Sequence, residues 1–117
     1  MSTFTYLNSE LHCDGVSLAT IARAEGTPLY VYSAASIRER YRAIDDAFDG
    51  YPHRVHYALK ANSSLAIVRL LHALGSAADA NSIWEIDLAL RAGFPAADIV
   101  FTGVGKAGHE LERAVPL

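Results

Sequence analysis

Tyr57-Ala58-Leu59-Lys60-Ala61-Asn62 ends an apolar run on a lysine, and the way that run is read decides the fold. Arg54-Val55-His56-Tyr57-Ala58-Leu59 carries β-branched and aromatic residues and no breaker, which predicts a buried strand. Lysine is seldom fully buried. At the carboxyl end of such a strand it sets an amine at the mouth of an apolar scaffold, where α/β folds keep their chemistry. A partly desolvated amine there is a nucleophile able to form a Schiff base with an aldehyde. The competing reading is a lysine whose stem covers apolar surface while its head stays in solvent, and the strand alone gives the two equal weight.

Side chains alternate along a strand, so His56, Ala58 and Lys60 share one face and Val55, Tyr57 and Leu59 the other. The bulkier apolar set is expected to meet a helix through Ile67, Leu70, Leu71 and Leu74. His56, Ala58 and Lys60 are then left on the face away from the helices, with Ala58 small enough to leave room there.

Outward from this strand the chain is periodic. Strand starts near Val55, Ala77 and Ile99 are 22 residues apart. Helices over about 64–74 and 83–92 fill the gaps, each followed by a glycine, Gly75 and Gly93, as expected at a helix end. Ser82-Ile83-Trp84-Glu85 has the capping-box pattern, with Glu85 as its acid, and a third helix is expected from Gly108 toward Val115. Strand-helix alternation at this spacing predicts an α/β fold with a parallel sheet and right-handed crossovers. Upstream, Phe4–Leu7 and Glu10–Cys13 flank Asn8-Ser9 as a hairpin, and Ser17 caps a short helix that Gly26 closes. Pro28 leads into a strand over 29–32. A helix over 34–48 carries an apolar stripe of Ile37, Tyr41, Ile44 and Phe48.

Composition narrows the function classes. The 117 residues are 51% hydrophobic and 20% charged, as in a soluble globular domain, and the net charge of -3 argues against a nucleic-acid footprint. No apolar run approaches the ~20 residues that span a bilayer. Cys13 is the single cysteine and the start lacks a secretory pattern, so a cytoplasmic location is expected. His53 and His56 point to opposite faces if on a strand, with no acid or cysteine placed to complete a site, so no metal is expected. Gly103-Val104-Gly105-Lys106 lacks the spacer and following hydroxyl of a phosphate loop and is read as a strand-to-helix turn. Only two lysines occur, Lys60 and Lys106, so the Schiff-base candidates are two.

His56-Tyr57-Ala58-Leu59-Lys60-Ala61-Asn62-Ser63 resembles the lysine motif of pyridoxal-phosphate enzymes of the alanine racemase-like (fold-type III) barrel group, and within it most resembles the diaminopimelate decarboxylases. Three further stretches match in order and spacing: Gly26-Thr27-Pro28-Leu29-Tyr30-Val31-Tyr32-Ser33, Ala78-Asp79-Ala80-Asn81-Ser82 with Glu85, and Ile99 to Lys106. The resemblance covers nearly the whole chain. It implies that Lys60 bonds pyridoxal 5'-phosphate, that Asp79 lies near the cofactor as a steering anion, and that Ala58 leaves room beneath its ring. Asp79 read from its own position alone is a surface or cap carboxylate. The resemblance also implies for Glu85 a contact that supports a residue touching the cofactor.

The implied activity is decarboxylation of meso-2,6-diaminopimelate to L-lysine and carbon dioxide, by a homodimer acting on a small amino-acid substrate. The alternatives are another decarboxylase of the group, of ornithine or arginine type, or a non-catalytic pyridoxal-phosphate carrier. Alanine racemases usually continue Ala-Asn-Ala-Tyr-Gly after the lysine, where Ser63-Ser64-Leu65 stand here, and carriers lack a β segment such as Phe4–Cys13. Ile83-Trp84 depart from the two glycines common in these decarboxylases, which puts substrate identity in question. An eight-stranded barrel takes ~250 residues. The chain is therefore expected to be the N-terminal part of a longer enzyme. Residues 1–33 supply a β segment, short helix and entry strand, and 34–117 the first three strand-helix units of a (β/α)8 barrel. The phosphate loop, the acid for the pyridine nitrogen and the substrate-binding residues lie further along in the family, so the 117-residue chain by itself is expected to be inactive.

Overall fold

Positive φ at Asn8 (49°) and Ser9 (67°) turns the chain back on itself within two residues, the geometry favoured in tight hairpins. In the computed structural model, which describes residues 3–117, strands β1 (Phe4–Leu7) and β2 (Glu10–Cys13) pair antiparallel with Phe4 opposite Cys13. A short β3 (Val16–Ser17) adds to β2 through the Asp14-Gly15 turn. Ser17 then caps α1 (Leu18–Glu25), its Oγ accepting from the Thr20 N–H at 3.4 Å, and Gly26 at φ 85° ends it. This first unit ends at Ala43; a second runs Ile44–Leu117.

Asp14 ties the hairpin to the next helix. Ser33 Oγ donates to Asp14 Oδ1 at 2.7 Å and accepts from the Ser36 N–H at 2.9 Å, and the Ala35 N–H donates to Asp14 Oδ2 at 3.0 Å. Two orphan donors at the start of α2 (Ala34–Ala47) are thereby satisfied. The Ala35 N–H, and after it the Ser33 hydroxyl, hold the Asp14 carboxyl below its ordinary value. Two expectations fail here. Residues 29–32 join no ladder, and Tyr30 is 90% exposed, because no described strand offers them a partner edge. Tyr41 on α2 is buried, but Ile44 and, just past the helix end, Phe48 stay about half exposed, so the apolar stripe is only partly covered.

In the second unit β4 (His56–Ala58), β5 (Ala77–Ala80) and β6 (Ile99–Phe101) form a parallel sheet in the order β4-β5-β6. The register pairs Ala58 with Asp79 and Asp79 with Val100. Helices α3 (Leu65–Ala73) and α4 (Ile83–Ala92) connect the strands, and α5 (Gly108–Ala114) follows. Alanine has little strand propensity. Its small size at 77, 78 and 80 nevertheless suits a central strand against which helices pack closely, and all three are fully buried. One core joins Leu59, Val68, Ala78, Ala89, Ala92 and Phe94, with Tyr57 and Ile99 packed against it. A second gathers Ala80, Ile83 and Ile86 beneath Phe101.

The helix that meets the lysine segment does so in a different phase from the one expected. Val68 and Leu71 are buried, while Ile67, Leu70 and Leu74 are half-buried. Asn62 Oδ1 accepts from the Ser64 N–H at 2.9 Å, and the helix starts at Leu65, which turns Leu65 and Val68 inward at i and i+3. Gly93, at φ 109°, closes α4. No helix among the described residues is long and apolar enough to cross a membrane.

Candidate active site

β4 is shorter than the sequence pattern suggested. Pairing covers His56–Ala58, and Leu59-Lys60-Ala61 form a single 3-10 turn, so Lys60 lies just past the strand rather than on it. The turn resolves a conflict of burial. Leu59 reaches 0% exposure among Val68, Ala78 and Phe94, and the next side chain is free to leave the core. Tyr57 packs against the same core, and its hydroxyl donates to the Asn62 carbonyl at 2.9 Å, tying the two ends of the turn together. The face assignment holds for Tyr57 and Leu59. The expected desolvation of Lys60 does not: its side chain is exposed.

Lys60 has no hydrogen-bond or ion-pair partner among the described residues. The other lysine is committed. Lys106 Nζ donates to the Gly103 carbonyl at 2.8 Å and lies 4.8 Å from the centre of the Phe101 ring. Gly103-Val104-Gly105-Lys106 is a turn between β6 and α5, as expected, with both glycines at positive φ.

Asp79 sits on the face of β5 opposite the helices, level with Ala58 on one side and Val100 on the other. Thr102 Oγ1 donates to Asp79 Oδ1, and Asn81 Nδ2 donates to Thr102 Oγ1 at 3.1 Å. Sequence reasoning gave neither Asn81 nor Thr102 a role. The signal was present, because paired strand positions in this sheet are 21 residues apart, and the same step from Lys60 reaches Asn81 and then Thr102. Ala58 is half-buried and Val100 is 46% exposed, so this end of the sheet face is open.

Glu85 performs a variant of the expected cap. Ser82 Oγ accepts from the Glu85 N–H at 3.3 Å, but Glu85 Oε2 reaches past the cap to the Asn81 N–H at 2.6 Å. Glu110 makes a second bridge, accepting from the Ala107 N–H at 3.0 Å and the Ile83 N–H at 3.3 Å; those two N–H groups hold its carboxyl below its ordinary value. The two bulky residues at the helix start part ways: Ile83 is 5% exposed in the core, whereas Trp84 is 76% exposed. His56 Nδ1 lies 3.3 Å from the Ala78 carbonyl, and His53 is engaged by the Tyr51 carbonyl and Asp45. No three His, Cys, Asp or Glu side chains converge as a metal site among the described residues.

The donor set suits an aldehyde. An accessible, unpaired primary amine stands just past the carboxyl end of β4, and next to that strand end Asp79 holds a carboxylate level with the small Ala58. Residues 34–116 match the family model described as pyridoxal-dependent decarboxylase, pyridoxal binding domain. The chain belongs to this family.

Members of the pyridoxal-dependent decarboxylase family are similar over almost all of the chain. Diaminopimelate decarboxylase of Pseudomonas aeruginosa is 46% identical over 98% of this chain, which covers 28% of that enzyme. The diaminopimelate decarboxylase of M. jannaschii superposes with a TM-score of 0.87 at 36% identity, over 96% of this chain and 27% of that one. The Helicobacter pylori enzyme, solved with L-lysine, gives 0.78 at 42% identity over 84% of this chain and 25% of that one. The chain thus spans about 28% of the length of the first of these relatives.

Proposed function

We propose that this chain is the lysine-bearing part of a pyridoxal-phosphate-dependent decarboxylase that converts meso-2,6-diaminopimelate to L-lysine and carbon dioxide. The observation that carries the reading is the contrast between the two lysines. Lys60 is exposed and unpaired one residue after the buried Leu59, whereas Lys106 is held by a carbonyl and an aromatic ring. Lys60 is the residue that bonds the cofactor aldehyde. Asp79 presents its carboxylate on the same sheet face, and Ala58 leaves space below. Bound pyridoxal phosphate supplies the electron sink for the carbanion left when carbon dioxide departs.

The three parallel strand-helix units are read as part of an eight-unit barrel. The remaining cofactor and substrate contacts are assigned to protein outside these 117 residues, some of them from the second subunit of a homodimer. Identity of 46% to a diaminopimelate decarboxylase over 98% of the chain supports that substrate over ornithine or arginine. The burial of Ile83 is compatible with it, since one of the two bulky residues that replace the usual glycine pair is taken up by the core.

Borohydride reduction of the cofactor-loaded full-length enzyme followed by peptide mapping tests the lysine. The phosphopyridoxyl label is expected on Lys60, and a label found only on Lys106 refutes the assignment. Carbon dioxide release from meso-diaminopimelate, measured beside ornithine, arginine and lysine, tests the substrate. The 117-residue chain alone is expected to give no turnover.

A further inference from the structure

The network around Asp79 has a direction. A threonine hydroxyl has one proton to donate, and a carboxylate can only accept. Thr102 gives its proton to Asp79 Oδ1, so toward Asn81 its oxygen must accept, and Asn81 must present its amide nitrogen rather than its oxygen. The consequence is visible: Asn81 Oδ1 is buried and has no hydrogen-bond partner. One further contact holds Asn81 in place, and one gap makes room for its amide. Its backbone N–H is taken by Glu85 Oε2 at 2.6 Å. Gly103, at φ 95°, leaves space that a Cβ would fill at 3.0 Å from Asn81 Nδ2.

We propose that Thr102 and Asn81 are positioning residues that hold the Asp79 carboxylate in one orientation on the open face of the sheet, through the one-way chain Asn81 Nδ2–H to Thr102 Oγ1–H to Asp79. Asp79 is thereby aimed before any cofactor arrives. Its relevance to catalysis rests on the reading of Lys60 and Asp79 as the cofactor face; the orientation itself does not. Thr102→Val keeps the shape of the side chain and removes both hydrogen bonds, while Thr102→Ser keeps the hydroxyl. Asn81→Leu removes the amide and its unpaired oxygen together, and serves as the second variant should Thr102→Val not fold.

Two measurements decide the matter. In the cofactor-free chain, three-bond NMR couplings of Asp79 are expected to report a single χ1 rotamer, averaged over the staggered wells in Thr102→Val and Asn81→Leu and restored to one in Thr102→Ser. In the cofactor-loaded protein, the pH midpoint of the visible band is expected to fall by about half a unit or more in Thr102→Val, since a misdirected anion no longer favours the protonated chromophore. Thr102→Ser is expected to return it. An Asp79 that keeps one rotamer in both substituted proteins overturns the proposal, whereas rotamer averaging with an unmoved pH midpoint in the loaded variant refutes the reading of Asp79 as facing the cofactor. If the unsubstituted full-length enzyme takes up no colour, the reading of Lys60 fails, and the coupling measurement still decides whether Thr102 and Asn81 orient Asp79.

Discussion

Truncating Leu59 to alanine tests the placement of the lysine more directly than any change to the lysine itself. Leu59 is entirely removed from water, and its neighbours Val68, Ala78, Ala89, Ala92 and Phe94 come from α3, β5, α4 and the segment after α4. Burial of a leucine side chain contributes roughly 1.5–3 kcal/mol. The void left by truncation adds to that loss, because a core drawn from so many segments relaxes only in part, and we expect Leu59→Ala to cost about 3–4 kcal/mol. In urea, with a slope of about 1.5 kcal/mol per molar, the midpoint of unfolding should drop by about 2 M. Lys60→Ala, one residue away at an exposed position, should change stability by no more than about 0.5 kcal/mol. Equilibrium unfolding followed by circular dichroism gives both numbers. A loss below about 1 kcal/mol for Leu59→Ala, or a ranking with Lys60→Ala the costlier, would mean that the turn faces the other way and that Lys60 is the buried member of the pair.

Other perturbations follow from single contacts. Asp14 has its carboxyl held low by the Ala35 N–H and Ser33, so its contribution is full above the unfolded value of about 3.9 and is lost as pH falls through the lower folded value. Asp14→Ala should flatten the acid limb of the stability curve of the first unit; an unchanged acid limb would count against the link. His53 has its value raised by the Tyr51 carbonyl first and Asp45 second, so its contribution is full below about 6.5 and fades as pH rises through the raised folded value. NMR titration of the His53 ring should show that raised midpoint, and Asp45→Asn should lower it. Gly93→Ala should destabilise by about 1–2 kcal/mol, since φ is 109° and the added Cβ would sit 3.3 Å from His72 Cε1. Thermal unfolding reads this, and a stabilised Gly93→Ala would contradict the left-handed cap.

The sequence by itself determined the repeat and most of its punctuation. Strands near Val55, Ala77 and Ile99 at a constant interval, Ser17 and Ser82 at helix starts, Gly26 and Gly93 at helix ends and Asn8-Ser9 in the hairpin are local signals, each set by the conformational limits of a few adjacent residues. Motif likeness supplied Lys60 and Asp79 in the same way, from letters in order. What only the tertiary structure decided was where those local elements stop and which side chains meet. The lysine strand ends at Ala58 because Leu59 is drawn into a core built from segments up to Phe94, and no window around Lys60 contains that pull. Residues 29–32 have the composition of a strand but meet no edge to pair with, and a strand is defined by its partner. Asn81 and Thr102 join Asp79 only once β5 and β6 are in register, since a parallel ladder brings together residues 21 positions apart that nothing in local propensity relates. Local conformation is written in neighbouring residues; the partners of a buried or hydrogen-bonded group are set by the whole packing arrangement.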